Sequence, residues 1–75
     1  MGLEIYERAA MDYEVLAEQL EMAARHARTA AMHMRTGNVP RACAHSFAAQ
    51  GNMKVAADKL SNLAVLHAEK STVPG

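Results

Sequence analysis

Apolar residues recur along this chain in two long runs whose spacing is typical of α-helices. In the first run, Tyr6, Tyr13, Leu20, Ala27 and Met34 repeat every seven residues, and the intermediate positions are filled by Ala9/Ala10, Leu16/Ala17, Ala23/Ala24 and Ala30/Ala31. The second run alternates spacings of three and four through Val39, Ala42, Ser46, Ala49, Met53, Ala56, Leu60, Leu63 and His67. Each run predicts a long helix with an apolar seam, over residues 3–36 and 39–70.

The segment between the two runs carries the signals of a tight turn. Gly37 suits the left-handed residue just past a helix end, Asn38 can cap the next helix through its side-chain oxygen, and Pro40 is tolerated in a first helical turn. Residues 37–38 are therefore predicted to join two antiparallel helices. We expect one domain over residues 1–75, with a frayed tail at 71–75.

A second glycine leaves an alternative open within the second run. Gly51 and Asn52 repeat the pair Gly37 and Asn38, so Gly51 could end one helix and Asn52 could cap another, which would make a chain of three helices. Against this, the apolar spacing continues through the glycine without a change of phase, and no proline follows it. Continuity is favoured, although a glycine inside a helix costs about 1 kcal/mol relative to alanine.

Both helices also carry apolar residues outside their seams, and a single hairpin cannot bury a second face on each helix. We therefore expect a twofold homodimer that forms a four-helix bundle. The predicted interface consists of Val15, Met22, Ala44, Phe47, Ala48, Gly51 and Val55. Phe47 with Gly51 one turn later is a candidate knob beside a hole.

Charge and composition narrow the classes of partner. Lysine and arginine balance aspartate and glutamate at eight each, which argues against a surface dedicated to nucleic acid or to anionic membranes. The acidic residues of the first helix precede Arg25, Arg28 and Arg35, as the dipole of one continuous helix favours. The sequence carries no secretory signal pattern and no apolar stretch of membrane-spanning length, so a cytoplasmic location is expected. A lone cysteine, Cys43, excludes an intramolecular disulfide and is expected to be at least half-buried.

The histidines are the candidate ligands for a metal ion. His26 and His33 share a face of the first helix, so they form the predicted metal site, which would lie across a dimer axis. His45 and His67 are expected to project toward the seam, so the four histidines should not converge. No cofactor is expected. Cys43 and His45 lie two residues apart on a helix and so point to different faces, which leaves no catalytic constellation and predicts that the chain is not an enzyme.

A sequence resemblance covers residues 16–69. Its elements are Ala23-Ala24, Ala30-Ala31, Gly37-Asn38, Ala42, His45, Gly51, Ala56 and His67-Ala68-Glu69. With them the chain resembles a group of small helical bacterial proteins, rich in alanine and histidine, whose function is unknown. The resemblance implies a helical hairpin in which Gly51 is a regular feature, and it implies no activity.

Taken together, these patterns favour a small structural or interaction module that self-associates. One alternative is a bundle that binds a metal or small ligand through His26 and His33. Another is a subunit that needs a different, unidentified protein, as in a toxin–antitoxin pair, to cover its second faces.

Overall fold

The computed structural model describes residues 2–70, with side chains described for residues 4–69. Within this range the chain forms two helices, α1 (Gly2–Arg35) and α2 (Val39–Lys70). They pack against each other as an antiparallel hairpin with dimensions of 58 × 27 × 12 Å. The expected all-helical hairpin is thereby confirmed, while the predicted frayed tail falls outside the described residues.

The connection between the helices is made by the backbone of Gly37 and the side chain of Asn38. Gly37 has a φ of 77°, and its N–H donates to the Met34 carbonyl over 3.0 Å, while the Asn38 N–H donates to the His33 carbonyl over 2.8 Å. These two bonds form a Schellman motif, which satisfies carbonyls at the end of α1. The Asn38 side-chain oxygen then accepts the Arg41 N–H at 3.3 Å and caps α2.

Helix α2 continues through Gly51 without interruption. A Cβ atom added to this glycine would meet nothing within 4 Å, so no close approach of neighbouring atoms requires a glycine here. The uninterrupted apolar spacing therefore outweighs the Gly-Asn signal, and the three-helix alternative does not occur.

The core of the hairpin is a narrow line of small residues. Ala42 and Ala56 are the most deeply buried, at 1% and 3% exposure. The line consists of Ala9, Leu16, Ala23 and Ala30 on α1 and Ala42, Ala49, Ala56 and Leu63 on α2, all of them buried or half-buried. Alanine at this contact lets helix axes approach toward the short end of the usual range of about 8–10 Å.

These core residues are only one half of each predicted seam, and the structure corrects the expectation that the whole seam joins the two helices. The other half is exposed: Tyr6, Tyr13, Leu20, Ala27 and Met34 on α1, and Val39, Ser46, Met53, Leu60 and His67 on α2. The reason is that the helices face each other along a line to one side of the apolar stripe, where polar side chains pair across the contact.

Candidate functional site

The exposed half of the seam forms a continuous surface along one side of the hairpin, which we call the apolar face. Its larger members are well exposed: Leu20 is 48% exposed and Tyr6 is 73% exposed. Between the helices this face contains a groove of about 270 Å³, lined by Leu16, Leu20, Met53, Ala56, Ala57 and Leu60. All the groove side chains are apolar, so the surface is suited to contact another apolar surface.

Polar side chains pair across the helices on the opposite side of the helix contact. Three pairs of side chains, which we call the polar ladder, join α1 to α2: Lys59 Nζ lies 3.6 Å from Asp12 Oδ1, Asn52 Nδ2 donates to Gln19 Oε1 over 2.9 Å, and the Nδ1 atoms of His26 and His45 are 3.0 Å apart. Every ladder residue immediately precedes a residue of the apolar face in the sequence. Since consecutive residues are about 100° apart around a helix, the ladder and the apolar face lie on opposite sides of the helix contact. The ladder side also carries apolar residues, Val15, Met22, Ala48 and Val55, each three positions after a ladder residue.

The polar ladder gives the hairpin its register. If the helices slid by one heptad, Asp12 would face Leu66 in one direction and Lys59 would face Ile5 in the other. The ion pair, whose side chains are about one-third exposed, contributes only about 0.2–1 kcal/mol, and a typical hydrogen bond contributes about 0.5–1.5 kcal/mol. The main consequence of the ladder is therefore specificity, because only one alignment gives each ladder side chain a suitable partner on the other helix, although Asn52 Oδ1 is buried without a hydrogen bond.

Three histidines meet at one end of the polar ladder, which differs from the expectation that the histidines stay apart. The ring of His45 lies between the other two, with its centroid 5.2 Å from that of His26 and 5.5 Å from that of His33. His33 and His45 are stacked with an angle of 15° between their planes. His45 therefore projects toward the same side as His26 and His33, because the contact line passes beside the seam rather than along it.

The chemistry of the histidine cluster follows from its closest contact. For the Nδ1 atoms of His26 and His45 to share a hydrogen bond, one ring must carry its proton on Nδ1 and the other must present a lone pair there. When neither Nδ1 carries a proton, each presents a lone pair, and both nitrogens can then bind a metal ion. Among residues 4–69, no group of three or more histidine, cysteine, aspartate or glutamate side chains is arranged to hold a metal ion.

The residues predicted as a dimer interface lie outside the apolar face. Phe47 follows Ser46 and therefore points away from α1, and it is 74% exposed. Met22, Ala44, Gly51 and Val55 are also exposed, whereas Val15 and Ala48 are half-buried.

Cys43 is exposed rather than half-buried, because its position on α2 borders the apolar face instead of the helix contact.

The sequence carried a signal for the polar ladder that the apolar spacing obscured. Polar residues also repeat every seven positions, in two series: Asp12, Gln19, His26 and His33 on α1, and the capping residue Asn38 followed by His45, Asn52 and Lys59 on α2. Because the helices are antiparallel, the first series is read forward and the second backward. The pairs are then an acid with a base (Asp12 and Lys59), an amide with an amide (Gln19 and Asn52) and a histidine with a histidine (His26 and His45). Matching them would have predicted both the register and the place of His45.

Comparison with known proteins identifies no relative of this chain. No protein-family model, no curated protein and no solved structure matches the chain. Within the residues that the structure describes, neither helix has an apolar stretch long enough to cross a membrane.

Proposed function

We propose that this protein is a small self-associating module, in which two hairpins pack through their apolar faces into a four-helix bundle that has a structural or interaction role. The observation that carries the proposal is the exposure of half of each apolar seam along the length of the hairpin. The sequence pattern is that of a helix in a bundle, and a single hairpin uses only part of it.

The shape of the hairpin supports this proposal. Its thickness of 12 Å is that of a single layer of helices, about 10–12 Å across with side chains. Stable domains generally have at least two packed layers around a core, since one layer leaves an apolar side in water. A second hairpin placed on the apolar face would enclose Leu20, Met53 and Leu60 between two layers.

The size of the face is sufficient for a stable pair. Stable interfaces bury about 800 Å² on each partner, and a hairpin side of 58 × 27 Å has room for an interface of that size. A second copy is the simplest occupant, because its own apolar face has the same length, the same heptad spacing and the same need to be covered. The predicted interface around Phe47 stays a competing hypothesis for where the copies meet.

The test of self-association is the mass of the protein in solution. Sedimentation equilibrium at several micromolar concentrations, with and without a chelator, should give twice the mass of the chain in both conditions. A monomer at all concentrations would overturn the proposal. A monomer that aggregates alone and becomes soluble on co-expression with a different protein would instead support the hetero-complex alternative.

A second candidate function, binding of a metal ion, is favoured by the contact of 3.0 Å between His26 and His45. Zinc binds histidine nitrogen at about 2.0–2.1 Å, so two nitrogens on one ion lie roughly 3 Å apart, close to their present separation. The sequence predicted His26 and His33 as the ligands, and in the structure the ring of His45 lies between the rings of these two residues. The protein supplies two close nitrogens, and water would complete the coordination.

Thermal denaturation with added Zn²⁺ tests this second candidate. Metal at about 100 times its Kd stabilises a site by about 2.7 kcal/mol, which corresponds to a rise in Tm of at least about 10 °C for a domain of this size. His26→Ala and His45→Ala should each abolish the rise, while Asn62→Ala, on an exposed position of α2, should keep it. An unchanged Tm in the original protein at millimolar zinc would exclude the site.

A further inference from the structure

We infer that the two copies are related by a twofold axis that lies in the interface between the apolar faces and runs across the helices, close to Leu20 and Met53. With this axis, called perpendicular below, the two hairpin turns lie at opposite ends of the bundle. This inference rests on the proposed self-association through the apolar face and specifies its geometry. In this arrangement α1 packs antiparallel to α1 of the partner subunit, and α2 packs antiparallel to its own counterpart.

The order of large and small residues on α1 supports this axis. Along the apolar face the sequence is Tyr6, Tyr13, Leu20, Ala27 and Met34. Reversing the series about Leu20 places Tyr13 opposite Ala27 of the partner subunit, and Tyr6 opposite Met34 of the partner subunit. The ring of Tyr13, which is exposed in the hairpin, would thus lie over an alanine.

Helix α2 shows the same complementarity about the same height. Met53 lies beside Leu20 at the groove, and the residues one heptad away on either side are Ser46 and Leu60. Reversal about Met53 places Leu60 opposite Ser46 of the partner subunit. One heptad from the common centre, both helices therefore set a large side chain against a small one, as the packing of ridges into grooves requires.

The other twofold arrangement, with its axis along the helices, fits less well. It would lay α1 on α2 of the partner subunit, with the turns at the same end. Tyr13 would then face Leu60 of the partner subunit, whereas Ala27 would face Ser46 of the partner subunit. Large residues would oppose large ones and small would oppose small, so no single distance between the helices would pack both layers without strain or voids.

The charges that border the apolar face on α1 also favour the perpendicular axis. The line of exposed residues that directly follows the face in the sequence is Glu7, Glu14, Glu21, Arg28 and Arg35. Antiparallel packing of the two α1 helices brings Glu14 near Arg28 of the partner subunit and Glu7 near Arg35 of the partner subunit. These pairs occur twice each in the dimer, which gives four contacts of opposite charge against one contact of like charge, between the two copies of Glu21 at the axis. Charged residues at such flanking positions commonly set the orientation of paired helices.

A distance between the two turns distinguishes the arrangements. We would attach a nitroxide label to Thr36→Cys in a Cys43→Ala background and measure the distance between labels by pulsed electron paramagnetic resonance. With 1.5 Å per residue from Leu20 to the label on each copy, the perpendicular axis predicts about 50 Å. The parallel axis predicts less than about 35 Å, because two stacked hairpins are only 27 Å wide and about 24 Å thick.

The outcomes separate the geometry from self-association itself. A dimer with the short distance would overturn the perpendicular axis and leave the proposed function standing. A monomer would overturn both. Sedimentation of the labelled protein identifies which of the two failures has occurred.

A compensating pair of substitutions tests the contact between Tyr13 and Ala27 of the partner subunit. Ala27→Tyr should weaken the dimer at least tenfold, because two tyrosine rings would then meet. The double variant Tyr13→Ala and Ala27→Tyr should recover most of the loss, since the large and small residues merely exchange places. The two positions are about 21 Å apart on one helix, so recovery has to come through the partner. A double variant that is weaker than Ala27→Tyr alone would refute this pairing.

Discussion

Replacing Leu20 by alanine should weaken the proposed dimer about fiftyfold. The substitution removes three carbon atoms, worth about 0.8 kcal/mol each when they are fully buried. Leu20 is 48% exposed in the hairpin, so only about half of that value, about 1.2 kcal/mol per subunit, belongs to the interface between copies. Both subunits carry the change, and about 2.4 kcal/mol corresponds to a factor of about fifty in Kd.

The measurement is Kd by sedimentation equilibrium, accompanied by far-ultraviolet circular dichroism to verify that helix content is retained. Phe47→Ala is the matched control, because Phe47 is even more exposed, at 74%, but lies outside the apolar face. It should leave Kd within about twofold of the original value. A Leu20→Ala dimer of unchanged affinity, together with dissociation caused by Phe47→Ala, would refute the apolar face as the interface and favour the face around Phe47.

Two further predictions concern the stability of the hairpin itself. Gly51→Ala should raise Tm by about 4–8 °C, since the helix gains about 1 kcal/mol and the new Cβ meets nothing within 4 Å. Gly37→Ala should instead lower Tm, because the φ of 77° at this position is strained for any residue with a side chain. A fall in Tm for Gly51→Ala would show that another chain packs closely on that glycine. Asp12→Asn should cost no more than about 1 kcal/mol in urea denaturation, and the cost should shrink in 1 M salt, because the ion pair with Lys59 is about one-third exposed. A cost that does not change with salt would show that the contact acts through packing rather than charge.

The turn and the helices were accessible from the sequence because their causes are local. Gly37 needs no neighbour to favour a left-handed conformation, and Asn38 caps a helix that begins one residue later. Helix α2 continues through Gly51 because a single glycine costs little against thirty-two residues of helical spacing.

The place of His45 was not accessible from apolar spacing alone. The spacing assigned this residue to the seam, whereas the structure places its ring between those of His26 and His33, stacked on His33 and tilted relative to His26. The difference arises because polar side chains can occupy a helix contact when each meets a partner, and pairing is a property of two helices rather than one. Polar repeats that match between the two helices indicate this pairing, whereas the apolar repeats do not.

The sequence by itself determined two long helices, the turn between them, and an apolar stripe on each helix with a period close to that of a bundle. Only the tertiary structure decided which edge of the stripe joins the two helices and which edge stays exposed. The physical reason is that spacing sets the angle of each side chain around its own helix axis but not the direction in which a neighbour lies. That direction is chosen by the contact of Ala23, Ala42 and Ala56, beside which the polar ladder aligns the helices.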